Sequence, residues 1–189
     1  MDVRPILLSF QTAIIAILFT FVLGTGVAYI VFRLKNRKLK ILLNSLFTLP
    51  LVLPPTVFGF FLLTIFGVQQ PVGQFLLDFF AIQVVFSWPA TVIAAVAVSF
   101  PLMYRSALTA LEQMDSELLA VAQTLGFSES RYFRKIALPL SMNGLLAGGV
   151  LAFARGLGEF GATTMLAGNI AGKTRTLPLA IYSAVASGD

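Results

Sequence analysis

The chain has 189 residues, 58% of them hydrophobic and 11% charged, with a mean hydropathy of +0.91 and a formal net charge of +5. A soluble domain carries roughly a quarter of its residues as charges, so this composition suits a surface covered by lipid. Cysteine and histidine are both absent, which excludes disulfides, thiol nucleophiles, imidazole bases and nearly every zinc site. The basic balance does not point to nucleic acid, because the cations fall in short runs between apolar segments.

Residues 6–32 are uncharged and exceed the roughly 20 apolar residues a spanning helix needs. A signal peptide is excluded by the length of this core, the single Arg4 before it and the want of a small-residue cleavage site. Residues 33–40 hold Arg33, Lys35, Arg37, Lys38 and Lys40 without an anion. Residues 41–67 make a second uncharged span, which contains Pro50, Pro54 and Pro55. Residues 68–81 read as a loop with a short amphipathic piece. A third span follows over 82–104, with Trp88 near its start, where an indole sits at headgroup level. Residues 105–135 are the most charged stretch, and a fourth span covers 138–167, interrupted by Arg155 and Glu159. A polar loop and a moderately apolar segment complete the chain. The expected fold is an all-α polytopic transmembrane bundle, a single membrane domain over residues 1–189.

The positive-inside rule orients it. Arg33, Lys35, Arg37, Lys38, Lys40, Arg105, Arg131, Arg134 and Lys135 gather on one side, against Arg4, Lys173 and Arg175 on the other. The amino terminus is therefore expected outside and both basic segments inside the cell.

The segment 105–137 has internal order. Asp115 or Ser116 caps a helix on which Leu118, Leu119, Val121, Ala122 and Leu125 cluster to one side. Gly126 supplies a left-handed end. Ser128 caps a second short helix carrying Tyr132, Phe133 and Ile136, and Pro139 falls in the first turn of the next span. Thirty-odd residues with this much order exceed what a connection requires, which favours a docking element.

This segment resembles the cytoplasmic loop of permeases of binding-protein-dependent ABC importers. That loop reads Glu-Ala-Ala, three residues, Gly, nine residues, Ile, one residue, Leu-Pro. Gly126, Ile136, Leu138 and Pro139 fall on its spacing. Ala120, Val121 and Ala122 replace Glu-Ala-Ala, and Glu117 lies one turn early. The resemblance implies that Glu117, Ala120, Ala122, Leu125, Gly126, Phe127, Ile136, Leu138 and Pro139 couple the chain to a separate ATPase. Leu49-Pro-Leu-Val-Leu-Pro-Pro-Thr-Val57, Phe86-Ser-Trp-Pro-Ala90, Ser99-Phe-Pro-Leu102, Ala154-Arg-Gly-Leu-Gly-Glu-Phe-Gly-Ala-Thr164 and Thr174-Arg-Thr-Leu-Pro-Leu-Ala-Ile-Tyr182 resemble the molybdate permease subfamily. Sulfate and thiosulfate permeases are its near relatives, and tungstate is a further candidate cargo.

The resemblance implies a type I ABC importer permease in a bacterial or archaeal cytoplasmic membrane. It works as a homodimer surrounded by membrane lipid, with a cytoplasmic ABC ATPase dimer and an extracytoplasmic oxyanion-binding protein. It also implies a transport subunit, not an enzyme: this chain binds no cofactor, and ATP and Mg belong to the ATPase. The family continues with one more span, so four spans are visible here and a final one is expected to be missing.

Arg155 and Glu159 are the only charges within a predicted span. Four residues apart, they share a helical face. They read either as a structural pair or as a gate that an anion passes. Pro50, Pro54 and Pro55 free backbone carbonyls that protein or water must satisfy. A bent, packed helix and an unwound segment lining the anion's path both fit. Gly144, Gly148, Ala152 and Gly156 form a smooth stripe for close packing, within the subunit or across a dimer axis. Residues 167–174 match a relaxed phosphate-loop pattern, but they follow a membrane helix and lack glycine at 167. Lys173 and Arg175 read as a solvated loop or as a receiver for an anion or its binding protein. An ion-coupled secondary transporter is the rival from another class; it requires intramembrane charges for coupling, and Arg155 and Glu159 are the only candidates.

Overall fold

The computed structural model describes residues 3–115 and 117–188, and among these every regular element is a helix. Ser116, one of the two expected caps, and the terminal Asp189 lie outside the described residues. The centre of the bundle is α1 (Arg4–Arg33), α5 (Trp88–Glu112) and α9 (Met142–Leu157). The buried face of α1 is built from small residues, among them Ser9, Thr12, Ala13, Ala16, Thr20, Gly24 and Ala28, which lets another backbone come close. Its partner is α5. Thr12 and Thr91 share a hydrogen bond at 3.1 Å, and Thr20 and Ser99 another at 3.1 Å. Both pairs are 79 residues apart in sequence, so the two helices advance together and run parallel. The Trp88 indole Nε1 also donates to Thr12 Oγ1, at 3.1 Å, which ties the one tryptophan to α1.

The glycine stripe of α9 packs inside the subunit. A Cβ on Gly144 would lie 2.6 Å from that of Ala110, and one on Gly148 would lie 2.5 Å from that of Ser106. Gly156 faces Ala95. As α9 advances its neighbours on α5 recede, so these helices are antiparallel.

Three span boundaries differ from expectation. Residues 41–67 are two helices, α2 (Arg37–Val52) and α3 (Pro55–Phe66), bent by 113°. A proline biases the residue before it towards extended backbone. With two in succession, Leu53 (ψ 139°) and Pro54 (ψ 134°) both leave the helix. Pro50, by contrast, is accommodated inside α2. The third span begins at Trp88 and continues to Glu112, beyond the expected end at 104. The fourth is interrupted twice. The helical run Glu129–Leu140 meets α9 at 72°, and α9 ends at Leu157 before α10 (Gly161–Ala167). At the first interruption the Ser141 hydroxyl donates to the Ala137 carbonyl at 2.6 Å, a back-bond that bends helices. Pro139 therefore precedes the bend and does not open the span. Among the described residues, two helices are long and apolar enough to cross a membrane, or up to four if each bent pair is one span.

The short amphipathic piece expected within 68–81 is a ten-residue helix, α4 (Pro71–Phe80), and α11 (Leu177–Ser187) is held to α1 where Leu177 N donates to Ser9 Oγ at 2.7 Å. The ends of α1 and α5 and the start of α2 gather at the opposite pole. There Lys40 pairs with Glu112 at 2.7 Å, and the Tyr104 hydroxyl donates to Asn44 Oδ1. The two short helices of the charged segment, α6 (Glu117–Thr124) and α7 (Glu129–Tyr132), lie at this pole too.

Candidate docking segment and intramembrane break

The segment after α5 is shaped by local chemistry. Asp115 Oδ1 accepts the Glu117 N–H at 2.9 Å and so caps α6. Gly126 (φ +73°) ends that helix. The Phe127 N–H bonds the Ala122 carbonyl, and the Gly126 N–H bonds that of Gln123, each at 3.0 Å. This is the Schellman pattern, and it requires a left-handed residue at Gly126. Ser128 then accepts the Arg131 N–H at 3.4 Å, capping α7. A π-helical segment follows over Phe133–Ala137 and passes into the three residues of α8 (Leu138–Leu140).

The nine residues assigned to coupling divide between two faces. Ala122 is buried in the large cluster formed by α1, α5 and α9, with Tyr132 and Ala137, and Phe127, Ile136 and Leu138 pack against it. Glu117, Ala120, Leu125, Gly126 and Pro139 are exposed. The apolar positions of α6 therefore do not share one side. Val121 is 53% exposed and Leu125 70% exposed, so these two, four apart and on one helical face, form an outward apolar step in a polar segment. Burial raises the pKa of the Tyr132 phenol above its ordinary value, and the nearby Arg33 guanidinium partly offsets this.

The intramembrane charges do meet. Arg155 Nη1 lies 2.7 Å from Glu159 Oε2. Glu159 has left the helix, however. It sits in the break between α9 and α10, where its Oε1 accepts the Ala162 N–H at 2.7 Å. It is a helix cap and an ion-pair partner together, and its residue is 3% exposed. Across the break stands the start of α3. A Cβ on Gly161 would lie 2.9 Å from that of Pro55 and 3.1 Å from Thr56 N, and one on Gly59 would lie 2.7 Å from the Ala162 Cα. Pro55, Thr56, Arg155, Glu159 and Gly161 line a cavity of about 280 Å³. Of the residues proposed for the path, Pro55, Arg155 and Glu159 thus come together. Pro54 is exposed beside them in the chain, and Pro50 does not line this cavity.

The loop with the phosphate-binding pattern is folded on itself. The N–H groups of Lys173, Thr174 and Arg175 all bond the Ile170 carbonyl, at 3.1, 2.9 and 3.1 Å, and so offer no open cradle of amides. Arg175 Nε donates to Asn169 Oδ1 at 2.8 Å, and Lys173 is exposed.

Sequence reasoning counts Arg33 only among the cations of one side and passes over Tyr29, both on α1. Arg33 pairs with Glu129 of α7, and the Tyr29 ring lies 4.4 Å from that of Phe133. Contacts between positions 96 and 104 apart leave no local signal.

Residues 20–186 match the family described as binding-protein-dependent transport system inner membrane component. The chain is 46% identical to the putative molybdenum transport system permease protein YvgM of Bacillus subtilis over 185 residues, covering 98% of this chain and 81% of that protein. It is 45% identical to the molybdenum transport system permease protein ModB of Escherichia coli over 182 residues, 96% of this chain and 79% of the other. The sulfate transport system permease protein CysT of Salmonella typhimurium is 39% identical over 170 residues, 90% of this chain and 61% of that one. With a helical bundle that includes helices long enough to span a bilayer, the chain belongs to the family of binding-protein-dependent transport system inner membrane components.

Proposed function

We propose that this chain is the permease subunit of an ATP-driven molybdate importer. It acts as a homodimer with two cytoplasmic ATPase subunits, which hold ATP and Mg, and an external oxyanion-binding protein. The amino terminus faces outward, so the pole carrying α6 and α7 faces the ATPase. The observation that carries this reading is the two-faced docking segment. Its inner face is embedded in the cluster that joins α1, α5 and α9, while Val121, Leu125 and Gly126 face outward. A push on the outer face is therefore transmitted to the spans. ATP-driven closure of the motor then shifts the spans between two arrangements, through its different affinity for each.

Molybdate is favoured over sulfate because the relatives named for molybdenum transport are more similar and more fully covered. Lys173 and Arg175 lie on the outer side in this orientation, where they suit reception of an anion or of its binding protein. The cavity at Pro55, Arg155 and Glu159 borders the proposed path. A self-sufficient ion-coupled transporter fits less well, because Arg155 and Glu159 are engaged with each other and with the α10 amide.

The test is reconstitution of permease, ATPase and binding protein in proteoliposomes. ATP hydrolysis should rise with molybdate-loaded binding protein and less with sulfate. Equal or greater stimulation by sulfate or tungstate would reassign the cargo. A permease that never co-purifies with an ATPase would sink the importer reading.

A further inference from the structure

We infer that Arg33 and Glu129 form a latch that makes α1 follow the docking segment, so that ATPase motion reaches the longest helix directly. The inference rests on the importer reading above. Two contacts at matched spacing define the latch: Arg33 with Glu129, and Tyr29 with Phe133. Tyr29 and Arg33 are one turn apart on α1, and Glu129 and Phe133 are one turn apart on the facing run, in the opposite order. Two such points fix the rotation of the run as well as its position, which a single contact does not.

The run needs that restraint. It meets α9 at 72° across Ser141, so α9 does not dictate its direction. Its middle is the π-helical segment Phe133–Ala137, a geometry found frequently at functional sites. The latch also leaves groups unpaired. The Tyr29 hydroxyl and Arg33 Nε are buried without a hydrogen-bond partner, a state that native proteins seldom leave unresolved. Glu129 itself is well placed to release, since its side chain is 67% exposed.

The experiment uses the complete reconstituted assembly with Arg33→Glu, Glu129→Arg and the double exchange. It measures ATPase retained, ATP hydrolysed and molybdate moved per ATP. Each single exchange should keep the ATPase bound and active while molybdate moved per ATP falls about fivefold, and the double exchange should restore it to within about twofold, as a direct pair coupling requires. Parental transport per ATP in the single variants would overturn the latch, as would a double variant no better than either single one. Loss of the ATPase from the single variants would also overturn it, by making Glu129 a docking contact. Should the exchanges fail to fold, Glu129→Gln decides, because neutralising so exposed a carboxylate leaves the fold intact. Transport per ATP should then fall about twofold, within the range of pairwise coupling, and an unchanged ratio overturns the proposal. A parental assembly that does not couple hydrolysis to uptake refutes the importer reading; a parent that couples, with variants that couple equally well, refutes only the latch.

Discussion

Two arginine–glutamate pairs sit in opposite surroundings, one at the break inside the bundle and one at the pole that carries α6 and α7. Arg155 and Glu159 are four residues apart, and the Glu159 side chain is 2% exposed. That carboxylate also holds the first turn of α10 through Ala162. Arg33 and Glu129 are 96 residues apart, with the Glu129 side chain 67% exposed. The two arginines are alike, 30% and 25% exposed, and the carboxylates make the difference: an unpaired Glu159 would be a charge that water hardly reaches, whereas Glu129 exchanges its partner for water at little cost. The buried pair is thus suited to keeping one shape, and the exposed one to joining parts that move.

The comparison breaks first at Glu159. Glu159→Ala should destabilise the detergent-solubilised protein by about 2 kcal/mol, since it removes the cap of α10 and leaves Arg155, 30% exposed, without its partner. Thermal unfolding is the measurement. Parental stability would show that the pair does not hold the break, and would favour the gate reading of the same residues. Gly161→Val tests the same place by volume. Its branched side chain meets Pro55 and Thr56, and overpacking of that kind costs about 1–3 kcal/mol.

A similar effect on stability, with a larger one on transport, is expected at Gly126. No atom lies within 4 Å of where its Cβ would stand, so a substitution acts on the backbone alone. A β-branched residue at φ +73° costs about 1–3 kcal/mol in a conformation it rarely adopts. Gly126→Val should uncouple hydrolysis from uptake, while Gly126→Asn, which tolerates that conformation, should retain most of the coupling. Equal uptake by both variants would remove the turn from the mechanism. Leu125→Asp comes next. It should alter stability by less than about 0.5 kcal/mol, as surface changes do, yet release the ATPase on purification. Undiminished co-purification would place the contact elsewhere on the segment.

What could be read in advance follows from how local each cause is. The left-handed turn at Gly126 and the caps at Asp115 and Ser128 depend on residues within five positions of one another, and sequence reasoning reached all three. The lipid-facing class and the separation of cations are compositional and were equally plain. Pro54 and Pro55 announce a break in the second span, but its 113° angle depends on α3 packing against α10, where Gly59 lies against Ala162. The outward turn of Val121 and Leu125 escaped notice for a related reason. An apolar residue in a helical pattern is normally assigned to the core, and only the position of α1, α5 and α9 shows which side of α6 is inner. Glu159 was placed on a helical face because its spacing from Arg155 allowed it; the break that frees it comes from Gly158 to Phe160.

The smallest expected effect sharpens the contrast between the break and the pole. Lys40 and Glu112 join α2 to α5, with side chains 26% and 44% exposed. A double-mutant cycle on this pair should give a coupling below about 1 kcal/mol. That coupling should shrink towards zero at 1 M salt, where the Debye length is about 3 Å. The Arg155–Glu159 coupling, measured the same way, should hardly respond, because ions reach its carboxylate no better than water does. If both couplings faded together, burial would not be what separates the break from the pole, and the rigid break and the movable latch would lose their common explanation.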